Sequence, residues 1–241
     1  MTNLRSNHRS YLGGCALLAL ALSTGCGLIS SDVTDFDLTL PDKNFTVDTA
    51  AWDVTQANAD LFLMTSCATT PTVCNAAAQQ ACPMNCSGEC NATSQTCDLA
   101  LDVSLYQAID LVTEKPELKS LNDEPVIKVT IDSVTWEVTS NSLDIDTPAM
   151  TVYVAPMSVM DPKDPQARVI GEFEVVPAGT TTTAKELAFT PTGKAELIMT
   201  MSTYKTPFNV LVGTTLFVRS GQKVPSGKLD AVVRIKAHAG L

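Results

Sequence analysis

Six cysteines, Cys67, Cys74, Cys82, Cys86, Cys90 and Cys97, fall within 31 residues, separated by 6, 7, 3, 3 and 6 positions. Such density serves either thiolate ligation of a metal or oxidation to disulfides. Zinc sites favour Cys-x₂-Cys pairs, often with histidine. Here the tightest spacing leaves three residues between cysteines, and no histidine lies nearby. An even count packed into so short a stretch reads instead as a disulfide framework, provided the chain reaches an oxidising compartment. Iron–sulfur ligation meets the same objection. The expectation is therefore three bridges, no metal and no cofactor. Six cysteines allow fifteen pairings, and spacing does not choose among them. The intervening NAAAQQ and NCSGECNATSQ offer little to bury. Cross-links worth roughly 2–4 kcal/mol each must offset the chain entropy of this stretch.

Other residues with chemical potential are few. Once the first 25 residues are removed, His238 is the one histidine left. A Ser-His-Asp or Cys-His arrangement would have to use it, and a chain end three residues away positions a base poorly. Asp35/Asp37 and Asp144/Asp146 form Asp-x-Asp pairs, which on a strand point to one face and suit glycoside hydrolysis or cation binding. Such pairs more commonly mark a wet strand face. Asn91-Ala92-Thr93 matches a glycosylation acceptor. No Gly-rich phosphate loop, nucleophile elbow or zinc-protease motif is present. The expectation is a protein without catalytic residues.

The elements that would carry these residues are mostly strands. Phe36, Leu38 and Leu40 alternate with polar residues up to Pro41, and Phe45 and Val47 suggest a second short strand. Residues 52–64 fit neither period well. Leu99, Leu101, Val103 and Leu105 alternate clearly. Ile127, Val129 and Ile131 alternate and then slip phase to Val134, Trp136 and Val138, which predicts a bulge near Asp132-Ser133. Strands are expected at 149–155, 168–176 and 185–189, with explicit turns such as Asp161-Pro162-Lys163-Asp164-Pro165 between them. A helix is expected over 194–204, with Leu197, Met201 and Tyr204 on one stripe, and a shorter one from Pro71 to Gln80. Pro116 to Leu121 reads as one helical turn. Two runs, 208–218 and 229–237, read as a C-terminal hairpin around Gly221, Pro225 and Gly227. The fold class is mainly β: an antiparallel sandwich or barrel-like domain with one or two short helices and a disulfide-rich insert at 67–97.

Charge is uneven. The chain has 16 bases against 26 acids, a net of −10. From Gly27 to Asp110 eleven acids face Lys43 alone, whereas fifteen acids face thirteen bases from Leu111 onward. An acidic surface excludes nucleic acid as a partner. It also disfavours adsorption to anionic lipid, and it suits solubility better than weak cation binding.

The most specific signal is N-terminal. Arg5 and Arg9 precede eleven uncharged residues, Leu12 to Leu22, too few to span a bilayer core. Ser23-Thr24-Gly25-Cys26 follows, small residues ending on a cysteine. This stretch resembles the lipobox signal of bacterial lipoproteins, with Ser23 where leucine is usual. Cys15 precedes the apolar core and lies on the wrong side for such a cut. The resemblance implies cleavage before Cys26 and a lipid on its thiol. Two or more acyl chains then hold the membrane stably. Gly27, rather than aspartate, points to the outer membrane. The implied organisation is a signal peptide (1–25), a lipidated tether (26–34) and one β domain (35–241). Removal of Arg5 and Arg9 leaves 14 bases against 26 acids, so the mature charge is −12.

These observations imply a non-catalytic, lipid-anchored envelope protein, exported and acting as a structural or interaction module. Its partners would be the membrane, through its anchor, and another envelope protein. Two alternatives follow from the same residues: a β domain holding a small apolar molecule between or within its sheets, and a carboxylate-dependent hydrolase.

Overall fold

Alternating apolar and polar residues give most of the chain the period of a strand, and the apolar faces meet between two antiparallel sheets. The computed structural model describes residues 36–82, 84–121 and 125–240. Cys15, Cys26, Asp35 and the tether lie outside them.

In the first sheet, β1 (Phe36–Asp37) and β2 (Lys43–Asp48) lie end to end along one side of β11 (Lys228–Gly240). Between them the Leu38 and Leu40 amides donate to Ala237 and Ile235 carbonyls, so the segment before Pro41 follows β11 as an extended edge. On the other side of β11 lies β5 (Lys128–Asn141), then the two-residue β8 (Lys185–Glu186). The second sheet runs, in spatial order, β3 (Cys86–Cys90), β4 (Cys97–Ile109), β10 (Phe208–Val218), β6 (Met150–Pro156), β7 (Arg168–Phe173) and β9 (Ala188–Phe189). One core cluster joins both sheets, from Leu38 to Ala239. Trp136 of β5 stacks on Phe173 of β7 with ring centroids 4.9 Å apart, an aromatic contact across the layers.

The expected bulge is present. Ser133 pairs with Lys236 and Ile131 with Ala237, leaving Asp132 as the extra residue. The bulge lets Val129, Ile131, Val134 and Trp136 all face inward despite the phase slip. A second shift, at Thr139, carries no such signature in the apolar pattern.

Three expectations change. The strands at 208–218 and 228–240 form no hairpin: β10 is flanked by β4 and β6, β11 by β1/β2 and β5, and residues 219–227 arch from one sheet to the other. The segment 185–189 is not one strand, because buried Leu187 marks the point where the chain leaves the first sheet for the second. His238 belongs to no loose end, since it lies in β11 opposite Asp37 on one side and Thr130 on the other.

The helices are short. Residues 52–64 resolve into a 3₁₀ turn (Thr49–Trp52) and α1 (Gln56–Leu63), whose Asn58 amide is capped by the Thr55 hydroxyl at 3.2 Å. The expected second helix is α2 (Val73–Ala81). A single turn, α3 (Leu111–Glu114), leads into the 3₁₀ segment Pro116–Leu121. Helix α4 (Gly193–Ser202) buries Leu197 and Met201, and Tyr204 just beyond it donates to the Leu121 carbonyl at 2.6 Å.

The cysteine stretch is built into the sandwich. Cys67 bonds Cys90, Cys74 bonds Cys97 and Cys82 bonds Cys86. The first two bridges interlock in sequence and fasten α2 and β3 onto the start of β4. The stretch has few large side chains, yet Cys67, Cys74, Ala78, Cys82 and Cys97 are all buried in the main core. Gly88 makes this possible, since a Cβ there would collide with the Cys74 carbonyl. Replacing Cys74 and Cys97 together with alanine should cost about 3 kcal/mol, and replacing Cys82 and Cys86 about 2, following the sequence separations of 23 and 4. Urea unfolding midpoints of the two variants should fall in that order.

Candidate functional site

Residues suspected of chemistry from sequence do not converge. Asp144 accepts from the Ser226 amide and hydroxyl, both at 2.8 Å, and so clasps the arch between β10 and β11. These bonds, the amide first, hold its carboxyl below the usual aspartate range. Asp146 accepts from the Ala178 amide at 2.8 Å and holds a different turn. Both border a shallow cleft of about 410 Å³ with Phe217 and Lys223, but each carboxylate is occupied in fastening a loop. Asp37 accepts from Thr39, which likewise depresses its pKa. His238 Nδ1 meets Asp132 at the bulge, 2.9 Å away, on the exposed face of the first sheet. Asn91 caps its own turn, accepting from the Thr93 and Ser94 amides and donating to Asp98. The sulfurs of Cys67, Cys74 and Cys97 lie within 4.8 Å of one another because two bridges are neighbours, and each is already bonded to another sulfur.

The acidic half of the sequence does not become an acidic lobe. Asp37, Asp42, Asp48, Asp98 and Asp102 each pair with a base from the second half: Lys115, Arg234, Lys228, Arg219 and Lys163. Lys43, the single base of the first half, is itself tied to Glu114 at 2.6 Å with both side chains largely buried. Five acids of the first half are thereby matched with cations distant in sequence.

A larger concave feature than the Asp144 cleft lies elsewhere, on the outer face of the second sheet. Residues 157–167 form a strap over β10 and β6. Buried Asn209 donates to the Met157 and Val159 carbonyls at 3.0 and 2.8 Å. Val159 packs on Leu211 and Ala155. Pro162 sits directly over Gly213, where an added Cβ would lie 2.7 Å from the proline ring. Ser104 donates to the Met160 carbonyl at 3.3 Å, and Asp161 and Asp164 close tight turns onto the amides two residues on.

Beside this strap runs a groove of about 510 Å³, walled by Asp102 and Ser104 of β4, Thr215 of β10, Thr151 and Tyr153 of β6, and Lys163 of the strap. Asp102 is its fixed point: Oδ1 accepts from Thr215 at 2.8 Å and Oδ2 from Lys163 at 2.6 Å. Asn85, in the left-handed region with φ 58°, lends its carbonyl to the Asp102 amide and its side chain to the groove. Trp52, buried in the core, donates to the Asp102 carbonyl at 2.8 Å and so fixes the backbone at that point. Sequence reading passed over these residues because each is an ordinary polar position on a strand. One signal was available: Gly213 interrupts the apolar run of β10, and a glycine inside a strand often marks a close backbone approach.

Comparison with known protein families, characterised proteins and solved structures gives no match.

Gly213→Ala should displace the strap and cost about 1–3 kcal/mol, measured as a lower urea midpoint. Acid should act through the aspartates whose pKa values are depressed: Asp37 by Thr39, Asp48 by Lys228, Asp110 by Thr113 and Asp144 by Ser226. Their folded pKa values lie below the unfolded ones, so their stabilisation is complete above about pH 4 and is lost as pH falls through the folded values. The urea midpoint should fall below about pH 4, and Asp144→Asn should remove part of that fall.

Proposed function

We propose that this protein is a non-catalytic module of the bacterial cell envelope, exported and held at the membrane by lipid on Cys26. The observation that carries the reading is the set of three disulfides, whose buried cystines form part of the main core. Such bridges form and persist in oxidising compartments, which is where the N-terminal signal would deliver the chain. The acyl chains would be its membrane contact, with Gly27 favouring the outer membrane, and nucleic acid is not among its partners.

The geometry of β11 supports presentation of one end away from the lipid. Phe36 pairs with Ala239 near the end of β11, and Asp48 pairs with Lys228 at its start. Eleven residues of strand separate these points, about 36 Å. Helix α1 adjoins the far end, where the Gln56 side chain accepts from the Val224 amide in the arch. The disulfide-fastened layer would therefore face away from the membrane.

A second reading, a ligand-binding β domain, is favoured by the groove beside Asp102. It moves the ligand from the sandwich interior, where apolar side chains from both sheets pack together, to the outer face.

Metabolic labelling with a palmitate analogue tests the anchor. The wild-type chain should take up label and sediment with membranes, and Cys26→Ser should do neither. Label retained on Cys26→Ser, or six free thiols in protein isolated from intact cells, would overturn the reading.

A further inference from the structure

The geometry points to a neutral oligosaccharide as the ligand of the groove between the strap and strands β4, β10 and β6. The inference rests on the reading of the domain as a non-catalytic module and adds the class of molecule it holds.

The groove offers hydrogen-bonding groups of both senses that the protein leaves unused. Among the described residues, the Thr151 and Tyr153 hydroxyls, the Asn85 side-chain amide and Oδ2 of Asp161 have no hydrogen-bond partner, although all four residues line the groove. Beside them stand apolar surfaces: the Tyr153 ring, Pro162 and Met160. A sugar presents this same mixture, with hydroxyls that donate and accept around its rim and C–H faces that lie against an aromatic ring. A volume of about 510 Å³ falls within the range of small-molecule sites and leaves room for more than one sugar ring.

The other ligand classes fit less well. An apolar molecule would bury those polar groups without partners, at a cost of roughly 1–3 kcal/mol each. A metal cation would have to displace Lys163 and Thr215 from Asp102, whose two oxygens they occupy. An anionic ligand would meet Asp102 and Asp161 against Lys163 alone. A peptide cannot add as a strand on the groove floor, because β10 is paired with β4 on one side and β6 on the other from Phe208 to Gly213.

The site is also preorganised. Its floor is three interior strands, and its strap is held by Asn209, by Pro162 on Gly213 and by the Lys163–Asp102 pair. Little order remains to be imposed on binding, the condition under which modest contacts give measurable affinity.

Saturation-transfer NMR and calorimetry on the soluble, oxidised domain would use maltotriose, cellotriose, tri-N-acetylchitotriose and glucose 6-phosphate as probes. At least one trisaccharide should bind with Kd below about 1 mM. Thr151→Val and Tyr153→Ala should each weaken it about tenfold or more, while Lys194→Gln on α4 leaves it unchanged. Where Tyr153→Ala fails to fold, Tyr153→Phe and Asn85→Gly serve, the latter because glycine accepts the positive φ at that position. The inference is overturned if no trisaccharide binds, if binding survives the combined Thr151→Val and Asn85→Gly change, or if glucose 6-phosphate binds more tightly. Mass analysis of the recovered sugar separates the two claims: a shortened trisaccharide would sink the non-catalytic reading and leave the site, whereas absent binding with normal lipid labelling would sink the site alone.

Discussion

Strand β10 is buried on both faces, and much of the architecture answers that demand. From Phe208 to Gly213 every residue is buried. A run of that kind cannot sit in a sheet with one wet side. Its inner face, through Val210, Val212, Leu216 and Val218, meets the first sheet. Its outer face, through Asn209, Leu211 and Gly213, must be covered by something else, and the Met157–Ala167 strap supplies the cover. Asn209 is the polar member of that face: its Nδ2 donates to two strap carbonyls, while its buried Oδ1 has no hydrogen-bond partner among the described residues. The groove is a by-product of this cover: the strap spans β10 and β6, and the space it leaves toward Asp102 is the concavity.

The disulfide layer solves a different problem with the same economy of side chains. Alanine and cystine replace the large residues that α2 and β3 lack. Cys90 and Cys97 lie opposite each other on neighbouring strands but bond outward, to Cys67 and Cys74. Each bridge thus ties the strand pair to chain otherwise held by a few hydrogen bonds and small apolar contacts. A direct Cys90–Cys97 bond would have closed a short hairpin and anchored nothing else.

Local patterning carried the fold class, most strands, the α4 stripe and the bulge at Asp132, because each depends on a face that repeats every two residues or every turn. Pairing between distant strands was not legible. β10 and β11 have the apolar content and turn residues of a hairpin, and only the competing partners β4, β6, β1, β2 and β5 place them in separate sheets. Strand β3 was hidden for another reason: Cys86 to Cys90 has no apolar alternation, and its place at the sheet edge comes from bridges and from the bare Cα of Gly88. The groove was least legible of all. Asp102, Thr215 and Lys163 are far apart in sequence, and nothing in their local context distinguishes them from wet-face residues.

The position of β11 has a consequence for when this chain can acquire its structure. Among the described residues it is the last strand in chain order, and it is the one that β1, β2 and β5 all pair with. Five N-terminal aspartates likewise find their cations in segments from Lys115 to Arg234. The first sheet therefore cannot close on a partly made chain. Contacts of such long sequence separation also form slowly. A chain with this topology leaves β1, β2 and β5 without their shared partner until β11 has been made, so the first sheet forms late and as a unit.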